Sequence, residues 1–131
     1  VQLKAAPAVQ ADRILLEQVL INLMRNGMES MMDVTNANRR VLTVRLQPGT
    51  GGGAEIEVAD RGNGVDANIA DKLFEAFTTT KAQGMGMGLS ICRSIVEVHR
   101  GRLSHHPNKE GGTVFVLSLP KPPHDLRQAA E

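Results

Sequence analysis

Two stretches, residues 41–47 and 54–60, alternate apolar and polar side chains and are separated only by the proline- and glycine-rich residues 48–53. Alternation at period two is the signature of a strand with one buried face, so this segment is predicted to fold as an antiparallel hairpin. A second pair, 102–106 and 113–119, repeats the pattern around 108–112. Ahead of the hairpins the period changes. Asp12 is a suitable N-cap, and Leu16, Val19, Leu20, Leu23 and Met31 recur at helical spacing, which predicts a helix from 13 to about 32. Met24, Met28, Met31 and Met32 are expected in the core, and the polar run 33–40 is expected as a loop. Residues 89–99 form a second amphipathic pattern, closed by Gly101. Between Asp60 and Gly88 lies a glycine-punctuated stretch with a short helix at about 67–75. Residues 1–10 suggest a strand broken by Pro7, while Pro120, Pro122 and Pro123 end the fold before a mobile tail, 121–131. This order fits an α+β two-layer sandwich with a mixed, mostly antiparallel sheet and helices on one face. At 131 residues the chain holds one such domain, placed at 1–120.

Composition excludes more than it identifies. Fifteen basic and fourteen acidic residues are spread along the chain, with none of the basic striping that nucleic acid requires. No apolar run reaches the roughly 18–20 residues of a membrane span, and no signal-peptide pattern opens the chain. The first residue, Val1, suggests a piece of a longer protein. The domain is expected to be cytoplasmic and monomeric in isolation, without direct membrane contact; its parent is either soluble or membrane-anchored. Cys92 lies in an apolar helical pattern and is expected to be buried packing.

Three features point to chemistry. Gln18, Asn22, Asn26 and Glu29 fall on one stripe of the first helix, with Arg25 beside it. A solvated face is one reading. The other is a hard-cation site, because stacked amide oxygens suit Mg²⁺ when phosphates supply further ligands. The second feature, Asp60-Arg61-Gly62-Asn63-Gly64-Val65, follows a strand directly. It is either an ordinary turn or a carboxylate that accepts from an exocyclic amine, with glycines admitting a flat ring. The third, Gly84-Met85-Gly86-Met87-Gly88-Leu89-Ser90, opens a helix. It reads as a linker, or as accessible backbone N–H groups and a helix dipole aimed at phosphate. Neither a P-loop nor a dinucleotide fingerprint fits it.

In order and spacing these motifs resemble the GHKL ATPases, and among them the histidine-kinase catalytic domain. Residues 16–31 are similar to the N box, 60–65 to the G1 box, 73–81 to the F box, 84–103 to the G2 box with its helix, and 111–120 to the final strand. The short segment around "FTTTK" looks closest to the nitrogen-regulation and oxygen-sensor kinases. The resemblance implies ATP with Mg²⁺, an ATP lid at about 66–87, Asn26 as main Mg²⁺ ligand and Asn22 as its neighbour. It implies that Asp60 binds the adenine amine, supported by Thr113 through a hydroxyl or a shared water, with Gly62 and Gly64 lining the pocket. Gly84, Gly86, Gly88 and the N–H of Leu89 would face the phosphates, and Lys81 would reach them from the lid; Asn26 and Lys81 are thus the implied catalytic residues. Implied partners are ATP or ADP, the histidine-bearing dimerisation domain of the same kinase and then a response regulator. Two positions depart from the family pattern. Glu29 stands where a lysine is common, and Gly27 where alanine is usual.

Asn22 also separates branches of the superfamily. The gyrase, mismatch-repair and chaperone ATPases place a glutamate there to activate water, and an amide cannot act as a general base. This favours holding ATP for transfer to a histidine over hydrolysing it. A serine kinase of the anti-sigma type and a nucleotide-binding module without turnover remain as alternatives. His99, His105, His106 and His124 offer no metal-ligand pair and are expected to be structural or solvated. Met85 and Met87 are expected either to touch nucleotide or to pack, and Phe74 and Phe77 to anchor the lid.

Overall fold

The computed structural model describes residues 2–3, 12–32, 39–64 and 86–121. Its elements run β1 (Gln2–Leu3), α1 (Arg13–Ser30), β2 (Thr43–Pro48), a 3-10 turn (Thr50–Gly52), β3 (Ala54–Ala59), α2 (Gly86–Val98), β4 (Arg102–Pro107) and β5 (Thr113–Leu119). The expected helix at 67–75, the lid with Lys81 and Gly84, the loop 33–38 and the tail beyond 121 lie outside the described residues.

Both predicted hairpins form. β2 pairs antiparallel with β3, and β4 with β5. What joins them is a non-local pairing, β3 with β5, so the order is β1-β2-β3-β5-β4 with β1 parallel to β2. The sheet is mixed and mostly antiparallel, with α1 and α2 on one face, an α+β sandwich. Strand alternation sets the two faces. Ile56 and Val58 of β3 and Phe115, Leu117 and Leu119 of β5 join Val19 and Leu23 of α1 and Leu89, Cys92 and Val96 of α2 in one core. The opposite face carries cross-strand polar pairs, Arg45–Glu57 at 3.0 Å and Gln47–Glu55 at 2.9 Å, each directly in register.

α1 starts as expected, with Asp12 Oδ1 accepting from Leu15 N at 3.1 Å. Its buried stripe includes Val19, Leu23, Gly27 and Met31, and Met24 packs against the core. Met28 and Met32 do not join it. They are 53% and 73% exposed: Met28 lies on the side of α1 away from the sheet, and Met32 falls in the turn after the helix ends.

α2 begins at Gly86, three residues before the predicted start at Leu89, so Gly86, Met87 and Gly88 belong to its first turn rather than to a loop. Its end also differs in mechanism. Gly101 N donates to Val96 O and Arg100 N to Glu97 O, both at 2.9 Å, a Schellman closure. The left-handed residue is Arg100, at φ 60°, and not the glycine. Gly101 is required by proximity, since a Cβ there would collide with the Ser118 carbonyl of β5.

Candidate functional site

Asp60 closes β3 and is 2% exposed, so its carboxylate is held by hydrogen bonds rather than by water. Oδ1 accepts from Gly62 N at 2.9 Å and from Thr113 N at 3.2 Å. The backbone is fixed as well, with Asp60 N donating to Thr113 O at 2.9 Å and Asn108 Nδ2 donating to Asp60 O at 2.8 Å. Bonds from described residues to the carboxylate thus fall on Oδ1. Oδ2 is turned towards α1 at Gly27, where an added Cβ would lie 3.7 Å from it and 3.4 Å from Asp60 Cβ. The position where alanine was expected therefore lies against the buried aspartate.

The rest of the Asp60 loop packs against the end of the same helix. A Cβ on Gly62 would collide with Ser30, and Arg61 N donates to Met31 Sδ at 3.3 Å. Gly112, at φ 92°, closes the other side, where a Cβ would strike the Asp60 carbonyl. Gly64, at φ 79°, opens away into exposed backbone. Asp60, Gly62, Gly64 and Thr113 are thus brought together beside α1, next to the residue that follows Asn26. Thr113 reaches Asp60 through its own N–H and C=O, a pairing that the expectation of a hydroxyl or water did not contain.

Along the predicted stripe of α1, Gln18 is exposed while Asn22, Asn26 and Glu29 are half-buried. Asn22 faces α2. Cys92 is fully buried, and burial pushes its thiol above the ordinary value while a hydrogen bond from the Asn22 side chain works in the opposite direction. The helices run antiparallel. His99 of the α2 terminus meets Asp12, with Nε2 accepting from Asp12 N at 2.9 Å, and Cys92 lies against the Val19 carbonyl. His99 Nδ1 lies 2.8 Å from the Ile95 carbonyl, so both ring nitrogens are engaged within the fold. Moving up α1 from Asp12 to Val19 matches moving down α2 from His99 to Cys92. Continued along both helices, this register brings Gly86 level with Arg25, one residue before Asn26, so the N-terminal turn of α2, with Gly88 and the buried Leu89, starts beside the Asn26 end of α1.

Sequence reasoning missed Asn108 and the close approach at Gly112. Asn108 gave a weak signal, a turn-forming asparagine ahead of two glycines, but nothing local links it to a residue 48 positions earlier.

This arrangement is that of a nucleotide-binding ATPase domain of the GHKL type. The family model for the histidine kinase-, DNA gyrase B- and HSP90-like ATPases matches residues 11–123, and the chain belongs to that family. Within it, the chain is the ATPase domain of sensor histidine kinases. It is 57% identical over 116 residues to the C4-dicarboxylate transport sensor protein DctS of Rhodobacter capsulatus, covering 88% of this chain and 17% of that protein. To the sensor protein FixL of Bradyrhizobium diazoefficiens it is 44% identical over 115 residues, covering 88% and 22%. The chain therefore spans less than a quarter of the length of these two relatives. The catalytic domain of histidine kinase ThkA, nucleotide-free, superposes with a TM-score of 0.72 at 35% identity, over 87% of this chain and 71% of that one. Full-length ShkA in complex with AMPPNP superposes at 0.69 and 26% identity, over 91% and 25%. Among the described residues no helix is long and apolar enough to cross a membrane.

Proposed function

We propose that the domain binds Mg-ATP and donates the γ-phosphoryl group to a histidine on a separate dimerisation domain of its parent kinase, from which it passes to a response regulator. The observation that carries this reading is the state of Asp60. Its backbone and Oδ1 are fixed by protein donors, which leaves Oδ2, beside Gly27, as the acceptor for the exocyclic amine of adenine. A carboxylate buried to 2% exposure gives a charge-assisted hydrogen bond its full strength and meets a guanine carbonyl with repulsion.

Mg²⁺ fits the donor chemistry through the amide oxygen of Asn26, with the nucleotide phosphates and water completing its ligands. When bound, the ion neutralises charge on the transferring phosphoryl group. Asn22 stands one turn before Asn26 as its neighbour at the ion in this reading; its hydrogen bond to Cys92 also ties α1 to α2. The first turn of α2, with Gly86, Gly88 and the N–H of Leu89, presents helix-end N–H groups that have no acceptor within the helix, and a positive dipole, to the phosphates. Lys81, Gly84 and the lid at 66–87 complete the phosphate side of this reading. Catalysis by this chain is positioning and charge neutralisation, and no residue of the α1 stripe offers a carboxylate at the Asn22 position to activate water.

The test is phosphotransfer in trans. With radiolabelled ATP the chain alone stays unlabelled, and the dimerisation domain of its parent becomes labelled with an acid-labile linkage. Acid-stable label favours the serine-kinase alternative, and rapid phosphate release without a partner favours hydrolysis. Titration that detects ATP binding but no transfer to any partner leaves the nucleotide-binding module.

A further inference from the structure

The turn between β4 and β5 is tied to the Asp60 loop by more bonds than a hairpin turn needs. Asn108 uses every polar group it has. Its backbone N–H donates to Gly112 O at 3.0 Å and its carbonyl accepts from Gly111 N at 2.9 Å. Its side-chain Oδ1 accepts from Glu110 N at 3.1 Å, while Nδ2 donates to Asp60 O at 2.8 Å. The first three bonds build the turn, and an aspartate would make them equally well. Only the fourth requires an amide, and it leaves the turn altogether. Two further contacts run the same way. Arg61 pairs with Glu110 at 2.6 Å, and Gly112 lies so near Asp60 that any side chain would strike it.

We propose that Asn108 is a positioning residue for Asp60, and that the 108–112 turn thereby sets the preference for a base bearing an exocyclic amine. The inference rests on the adenine reading of Asp60 given above. Asp60 has a short side chain, so the direction of Oδ2 is set by the orientation of its backbone and by the donors on Oδ1. Asn108 holds the peptide that leads from Asp60 into Arg61 and on to Gly62, whose N–H is one of those donors. Without the Asn108 amide this buried carbonyl loses its donor, and the peptide is driven to rotate in search of another. Gly62 N then moves off Oδ1 and the carboxylate keeps only its bond from Thr113 N. An aspartate at 108 goes further, setting a carboxylate oxygen against the Asp60 carbonyl.

The experiment compares ATP with the triphosphate of unsubstituted purine riboside, which lacks the exocyclic amine, in calorimetric titrations of the wild type, Asp60→Asn, Asn108→Asp and Asn108→Ala, with folding followed by circular dichroism. The wild type should favour ATP by a factor on the order of tens. Asn108→Asp and Asn108→Ala should bind ATP about tenfold more weakly while the unsubstituted nucleotide changes by less than about twofold, so selectivity collapses. Undiminished ATP preference in either folded variant overturns the inference, as does an equal loss for both nucleotides. Failure of both variants to fold also overturns it, since Asn108 would then be a requirement of the fold and not of base choice. A wild type indifferent to the amine, with Asp60→Asn equally indifferent, instead overturns the adenine reading of Asp60 itself.

Discussion

Asp60 and Thr113 form a reciprocal pair: Thr113 N donates to the Asp60 carboxylate at 3.2 Å, and Asp60 N donates to the Thr113 carbonyl at 2.9 Å. The pairing continues the β3–β5 ladder one residue past Ala59↔Val114, so the sheet itself carries the carboxylate into the site. A side chain placed by ladder geometry loses little entropy when it binds, which makes it a suitable anchor for a base.

Replacing that carboxylate by its isosteric amide is the direct check. Asp60→Asn retains an oxygen for Gly62 N and Thr113 N but turns an NH₂ towards the adenine amine. Loss of a buried charge-assisted bond costs about 2–3 kcal/mol, so ATP affinity should fall by tens-fold or more. ATP binding at the parental level would remove Asp60 from the base site.

Asn26→Ala separates metal from fold. The side chain sits at the half-buried margin of α1, while Val19, Leu23 and Gly27 carry the buried stripe. The variant should fold with near-parental stability and bind triphosphate with little dependence on Mg²⁺. An unfolded variant, or one with parental Mg-ATP affinity, would contradict the ligand assignment.

Gly27→Ala should stabilise the domain. Alanine is favoured over glycine by about 1 kcal/mol inside a helix. The new methyl meets Leu42 Cδ1 at 2.7 Å, which is the far end of a flexible side chain, and Asp60 Cβ at 3.4 Å. Rotation of Leu42 absorbs the contact, and the melting temperature should rise by roughly 2–6 °C with ATP binding retained. A fall in melting temperature would mean that Leu42 cannot move.

Cys92 couples stability to alkaline pH. Burial holds the folded thiol in its neutral form, with the pKa raised, whereas the unfolded chain ionises freely. Stability from this group is therefore complete below the unfolded value and is lost as pH rises above about 8.5. Denaturant midpoints should decline more steeply over that range for the wild type than for Cys92→Ala, and thiol reagents should react only on unfolding. Parallel declines would show the thiol to be uninvolved.

Local physics wrote much of this fold into the sequence. Period-two alternation marked both hairpins, Asp12 marked the start of α1, and the helical spacing of Leu16, Val19, Leu20 and Leu23 marked its buried side; together these defined the α+β class, and the ordered motifs the family. Contacts between distant residues decided the rest. Met28 shares helical spacing with Met24 and Met31, and only the position of the sheet turns it outward, while Met32 falls in the turn after the helix ends. Gly101 was readable as a helix stop, but the left-handed turn fell to Arg100, because Gly101 is needed where α2 approaches Ser118. The pairing of β3 with β5 brings Thr113, Gly112 and Asn108 to Asp60 from about fifty residues away. A hydrogen bond across that separation depends on two backbones meeting, and no property of either segment alone reports it.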